Sequence, residues 1–192
     1  MRKIFIGILL SVLVIILFVI VFEAILRFSG YYEESRPSRA NVSDYDPTLG
    51  WKLKPYYLGS ESTKEYTVLY KTNNKGFRDQ DFSLQGKKIF MLGDSFTFGQ
   101  GVAYENIIAT ILQEKLSDYD VMNLGVPGYG TDQEWLTLRE KVWQFSPDMV
   151  ILAFSPNDVG DTYQNKLVRV KDGQIEVIGA RERTGGNWLG KV

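Results

Sequence analysis

Three short runs hold the residue types that can carry out acyl chemistry: Gly93-Asp94-Ser95, the stretch Asn123-Leu124-Gly125-Val126-Pro127-Gly128-Tyr129-Gly130, and Ser155-Pro156-Asn157-Asp158. A serine hydroxyl attacks a carbonyl carbon, and two or three fixed donors must then hold the oxygen that becomes negative. The backbone N–H groups of Ser95 and Gly125 and the side chain of Asn157 can supply those donors. Glycine suits position 125 because a substrate can approach its backbone with no Cβ in the way. Each run also has a plain structural use. Gly-Asp-Ser is turn chemistry, the glycines can shape a long loop, and Asn157 can cap a turn. Asp94 and Asp158 are expected to hold loops through backbone hydrogen bonds rather than to serve as the base. The tryptophans and most tyrosines are expected in the core or at interfaces.

Composition narrows the chemistry further. The 192 residues contain no His and no Cys. No imidazole is available as a base or ligand, and there is no thiolate, disulfide, Cys-bound metal or lipid-modified thiol. No cofactor and no metal are expected. Lys plus Arg number 22 against 23 Asp plus Glu, for a net charge of −1, with no basic block. That balance argues against nucleic acid as a partner.

The elements that must position the three runs can be read from hydrophobic periodicity. Lys88 to Leu92 is predicted as a strand, Tyr104 to Leu116 as a helix with Ile107, Ile108, Ile111 and Leu112 on one face, and Val121 to Leu124 as a second strand. Thr131-Asp132-Gln133-Glu134 has capping-box spacing, and Trp135, Leu138 and Val142 continue one face of a helix that ends before Pro147. Met149 to Phe154 is apolar throughout, as a parallel strand covered on both faces would be. The pattern is βαβαβ with right-handed crossovers, an α/β fold with an incomplete three-layer, flavodoxin-like parallel sheet. Each chemical run follows a strand, at the carboxyl end where open α/β sheets bind ligands. Strand order 2-1-3 would leave Met149 to Phe154 as an uncovered edge. Lys166 to Val170 and Gln174 to Ile178, around Lys171-Asp172-Gly173, predict a hairpin.

Upstream, Leu49 to Leu53 and Glu65 to Thr72 are rich in aromatic and β-branched residues and are followed by a break at Asn73-Asn74-Lys75-Gly76. They predict a small β-rich arm packed on the main domain. The polar stretch before it reads as a tether. Ile4 to Phe22 is apolar except for Gly7 and Ser11, and as a helix it would span about 28 Å, close to the hydrocarbon thickness of a bilayer. Arg2 and Lys3 precede it, whereas Glu23 and Arg27 cancel after it, so the positive-inside rule puts the N-terminus in the cytoplasm and the rest in the periplasm or outside. A cleaved signal peptide is the competing reading, but no small-x-small site follows the run. The expected division is a tip and transmembrane anchor at 1–28, a linker at 29–47, a β-rich segment at 48–86 and the α/β domain at 87–192.

At these residues the chain resembles the GDSL/SGNH hydrolases. Gly93-Asp94-Ser95 is similar to the family's nucleophile block, Gly125 to the second block and Asn157-Asp158 to the third, over about Lys87 to Asp161. The resemblance implies a serine esterase or O-acyl hydrolase with Ser95 as nucleophile. Ser95 N–H, Gly125 N–H and Asn157 would form the oxyanion hole, and the substrate would be a small ester or an acylated glycan. It also implies a membrane partner through the N-terminal helix, as in anchored bacterial members. The family's fourth block, Asp-x-x-His, supplies the base, and no His is present. Two expectations stay open: a chain that stops short of that block, and a non-catalytic relative that binds a glycan or a partner. The glycine often found just before the third-block asparagine is also missing. A phosphate-binding loop is disfavoured, because the glycine-rich run lacks the Lys-[ST] of a P-loop and the Gly-x-Gly-x-x-Gly spacing.

Overall fold

The computed structural model describes residues 2–29, 40–82 and 86–180. Helix α1 (Arg2–Phe28) contains the whole apolar run predicted from the sequence. It is about 40 Å long at 1.5 Å per residue, none of its residues is buried, and it is long and apolar enough to cross a membrane. Its last turn carries an ion pair between Arg27 and Glu23 (2.7 Å). The helix and the domain that begins near residue 40 are separate units and are described separately.

In the domain, β1 (Ser43–Asp46) and β2 (Gly50–Leu53) pair antiparallel, and β3 (Leu58–Ser62) pairs with β4 (Thr67–Lys71). The first turn is closed by Asp46, whose Oδ1 accepts the N–H groups of Thr48 and Leu49, both at 3.0 Å. Residues 30–39 of the expected linker lie outside the described residues, and its final part is strand β1. Asp46 is what draws those polar residues into a hairpin. Along β4 the period is two, with Val68 and Tyr70 buried and Leu69 exposed.

The α/β part is one parallel sheet in the order β6-β5-β7, with β5 (Lys87–Gly93) in the middle, β6 (Tyr119–Asn123) on one side and β7 (Met149–Ala153) on the other. After β5 the chain turns into a single helical turn, α2 (Ser95–Phe98), and then into α3 (Ile108–Lys115). Between β6 and β7 lies α4 (Thr131–Thr137), which continues through a wider turn at Leu138–Val142 and a tighter one at Trp143–Phe145. After β7 comes α5 (Asn157–Asn165), a helix the sequence pattern did not predict, and then the hairpin β8 (Val168–Lys171) and β9 (Gln174–Val177).

Alternation along β5 divides its side chains between two layers. Ile89 and Met91 pack with Ala109 of α3 and Val121 of β6. Phe90 faces the other way, stacked on Phe145 at 6.3 Å and edge-on to Phe82. Helices thus cover both faces of the central strand, which is buried from Ile89 to Gly93. Strand β7 is different. Met149 and Leu152 are each about half exposed (48% and 47%), as expected of an apolar edge that nothing covers among the described residues.

Candidate active site

The parallel register sets Gly93 of β5 opposite Ala153 of β7, so the segments after these two strands emerge side by side. The ladder between β5 and β6 continues past the strand ends, with Leu124 N–H donating to Met91 O (2.9 Å) and Val126 N–H to Gly93 O (3.0 Å). All three chemical runs therefore lie on one rim of the sheet.

Ser95 is the first residue of α2. Asp94 caps that turn, its Oδ1 accepting the Phe96 N–H at 2.9 Å. The Ser95 N–H has no carbonyl one turn back to receive it. The Ser95 side chain is half-buried, and its hydroxyl makes no hydrogen bond among the described residues. Asn157, the first residue of α5, reaches across to this turn. Its Nδ2 donates to Asp94 Oδ2 at 2.9 Å and to Asp161 Oδ2 at 3.1 Å. Both hydrogens of the carboxamide are engaged by carboxylates, and the side chain is exposed.

Gly125 is occupied differently from the sequence expectation. Its N–H donates to Asn123 Oδ1 at 2.9 Å. A Cβ built at 125 would overlap the backbone N of Phe98 and press on Thr97. Glycine at 125 thus allows the second loop to lie against α2. Two residues on, Pro127 and Gly128 form a turn closed by Tyr129 N–H to Val126 O (3.1 Å), with Gly128 at φ +76°. Proline followed by glycine at positive φ is the type II arrangement. The Gly128 N–H has no acceptor among the described residues, and Gly128 is half-buried beside the Trp51 ring.

The β-rich arm and the segment after it brace this rim. Arg78 is fully buried, and its guanidinium donates to the carbonyls of Phe98 (3.0 Å), Gly99 (2.6 Å) and Val102 (2.7 Å), where α2 ends. It also lies over the Tyr70 and Phe98 rings. Asp79 accepts the Asn123 N–H and the Tyr104 hydroxyl, both at 2.8 Å. Burial pushes the Asp79 carboxyl above its ordinary value, while these bonds pull it back. Trp51 Nε1 donates to Pro127 O (3.1 Å), and Tyr129 hydroxyl donates to Trp51 O (2.8 Å). Gln133 accepts the Gly130 N–H through Oε1 (3.0 Å) and donates to Leu49 O (2.7 Å).

The start of α4 also corrects the capping-box expectation. The N-cap is Gly130, not Thr131, and Gln133 supplies the return bond. Shifting the cap by one residue turns Glu134 inward, where it is 1% exposed and neither carboxyl oxygen has a hydrogen-bond partner among the described residues. Burial, with Asp158, Asp94 and Asp132 nearby, pushes its pKa up to about 8. Asp158 is also fully buried. Its Oδ2 accepts the Ser155 N–H at 2.7 Å, and its Oδ1 has no hydrogen-bond partner among the described residues. Its pKa is likewise raised, mainly by burial. Asp94 and Asp158 thus hold backbone, as expected of them. Arg78 and Asp79 carried no signal in the sequence beyond being charged residues, a type usually solvated, and Glu134 only the capping-box spacing that the structure corrects. No group of three or more acidic side chains among the described residues is arranged to hold a metal ion.

Residues 91–181 match the GDSL-like Lipase/Acylhydrolase family model, a stretch that includes all three strand-end runs. No curated protein matches the chain.

Proposed function

Residues 91–181 being a GDSL-like lipase/acylhydrolase domain, we propose that the protein is a membrane-anchored serine esterase or O-acyl hydrolase with Ser95 as its nucleophile. The observation that carries this reading is the bond from Asn157 to Asp94, which brings the third-strand carboxamide to the turn that bears the unbonded Ser95 hydroxyl. In the proposed reaction Ser95 Oγ attacks the ester carbonyl, the alcohol leaves, and water later releases the acyl group from Ser95. The oxyanion is held by the Ser95 N–H and the Asn157 Nδ2, which exchanges one carboxylate for the substrate oxygen. The third donor is a backbone N–H of the second loop. Gly125 fills that role only by releasing Asn123 Oδ1, whereas the Gly128 N–H needs no such release. The family acts on esters, and we assign a small ester or acylated glycan as substrate, met outside the cytoplasm with α1 as a single anchor whose N-terminus is cytoplasmic.

The sequence given contains no His, and the buried Asp94 and Asp158 are committed to backbone and side-chain bonds. Without a positioned base a serine site loses roughly 10²- to 10⁴-fold in rate, so slow turnover by these 192 residues is part of the reading. One observation favours a second reading, an acyl- or glycan-binding module without turnover: both Asn157 hydrogens are already bound. A fluorophosphonate probe separates the two. Incubated with the full chain in detergent, it is expected to add one phosphonyl group to Ser95, and none to Ser95→Ala. Absence of label on a folded wild-type chain, with retained affinity for an acylated glycan, would favour the binding module instead.

A further inference from the structure

The carboxamide of Asn157 has two hydrogens, and each has a carboxylate: Asp94 Oδ2 at 2.9 Å and Asp161 Oδ2 at 3.1 Å. The nitrogen has no third hydrogen to give, so Asn157 can hold a substrate oxygen only when one carboxylate withdraws. The two differ in what withdrawal undoes. Asp94 is fully buried, and its other oxygen caps α2 by accepting the Phe96 N–H at 2.9 Å, so its movement would strip a buried carboxyl of its partners and open the turn that carries Ser95. Asp161 is half-buried, lies one helical turn after Asn157 on α5, and makes no other hydrogen bond or ion pair among the described residues. Water can take the place of Asn157 beside it.

We propose that Asp161 is a latch on the acylation site: its carboxylate takes the Asn157 hydrogen that the substrate oxygen needs, and so slows acylation of Ser95. The latch rests on the reading of Ser95 as nucleophile and adds a regulation of that same site. Asp94 and Asp161 then act in opposite senses through one nitrogen. Asp94 keeps the carboxamide beside the Ser95 turn, whereas Asp161, a positioning residue that works only through Asn157, draws the second hydrogen along α5.

The strength of the two acceptors sets when the latch yields. A carboxylate accepts a hydrogen bond more strongly than the neutral oxygen of an arriving ester, so Asp161 keeps the hydrogen in the resting chain. As charge develops on the substrate oxygen the exchange becomes even, and Asn157 turns its donor to the oxyanion. Removal of Asp161 spares the reaction that exchange. The gain should match the net worth of one hydrogen bond, roughly threefold to tenfold in rate. A purely structural Asp161 has the opposite signature, because its loss would slow the reaction or leave it unchanged.

The test uses the full chain in detergent micelles, as wild type, Asp161→Ala, Asp161→Asn, Asn157→Ala and the double variant Asn157→Ala with Asp161→Ala. The probe is a fluorophosphonate: Ser95 Oγ bonds to phosphorus, fluoride leaves, and the hydroxyl proton passes to water. Labelling of Ser95 should be roughly threefold to tenfold faster in Asp161→Ala than in wild type. Asp161→Asn, whose amide oxygen is a neutral acceptor, should fall between them. In the Asn157→Ala background, loss of Asp161 should change nothing. A second readout does not need Ser95 to react. In NMR spectra of chains with isotope-labelled asparagine, one Asn157 side-chain amide proton should move upfield in Asp161→Ala while the one on Asp94 keeps its position. Labelled wild type with an equal or slower rate in Asp161→Ala, a gain that persists without Asn157, or an unmoved amide proton would overturn the latch and leave the nucleophile reading standing. No label in any variant would overturn that reading, and the latch with it.

Discussion

On the β6 side of the rim the loops are held by the cation Arg78, by neutral groups that join the second loop and α4 to the β-rich arm, and by one carboxylate, Asp79, on the Asn123 N–H. Arg78 gathers three carbonyls at the end of α2, while Trp51, Tyr129 and Gln133 tie the second loop to β2. On the β7 side the brace is made of acids. Asn157 is held by Asp94 and Asp161, Ser155 by Asp158, and Glu134 is buried nearby without a cationic partner among the described residues. An arginine keeps its charge at every ordinary pH, so the end of α2 is held regardless of proton concentration. On the second, burial beside other carboxyls pushes Glu134 up to about 8 and raises Asp158, so its charge changes with pH. The side that carries the nucleophile is thus fixed, and the side that carries the exposed carboxamide is adjustable.

The largest way to break this contrast is Arg78→Ala. Removal of the guanidinium takes a donor from three carbonyls, of which Gly99 O keeps the Val102 N–H, and leaves a cavity over the Tyr70 and Phe98 rings, at a cost of roughly 3 to 5 kcal/mol. Urea unfolding at pH 6 and pH 9 should show the same loss at both. Arg78→Lys should recover less than half of it, since a single ammonium cannot reach three carbonyls in a fork. A pH-dependent loss would mean that the first side also depends on ionisation.

The glycines of the second loop sharpen the contrast at a smaller scale. Gly125→Ala puts a methyl group against the backbone of Phe98 and Thr97 and should destabilise by about 2 kcal/mol, the usual cost of overpacking. Gly128→Ala meets only the Trp51 ring at 3.4 Å and has mainly the positive φ to bear, worth about 1 kcal/mol. Equal losses in denaturant unfolding would mean that α2 can move away from the second loop. The fixed side would then be softer than its packing implies.

The parts of the molecule that were legible in the sequence are those where one periodicity decides the outcome. The apolar run of α1, the alternating strands and helices from Lys88 to Phe154, and the exposed edge at β7 follow from burial patterns that neighbouring residues share. The bracing was not legible, because Arg78, Asp79 and Glu134 are charged residues whose burial depends on partners 20 or more residues away. Glu134 was also masked by a local pattern. With Thr131 it has capping-box spacing, and only the shift of the cap to Gly130 sends it inward. Gly125 was singled out for an open backbone, but a local bond to Asn123 occupies its N–H. Helix α5 escaped notice because Gly160 and its polar neighbours show no apolar stripe, and it forms through contacts with α4.

Acylation of Ser95 is the most direct measure of the central claim, that this rim is a serine acyl-transfer site. The same base that activates a serine also activates the water that releases the acyl group, so without it the acyl-serine forms slowly and, once formed, persists. The full chain should be incubated with p-nitrophenyl acetate near pH 7, and p-nitrophenol release followed beside peptide mass mapping. The account predicts release of about one equivalent followed by little turnover, with the acetyl group on Ser95. It predicts no such adduct in Ser95→Ala and slower formation in Asn157→Ala, whose stability should be nearly unchanged because the side chain is exposed. Acetylation that bypasses Ser95, or p-nitrophenol release identical in wild type and Ser95→Ala, would contradict it.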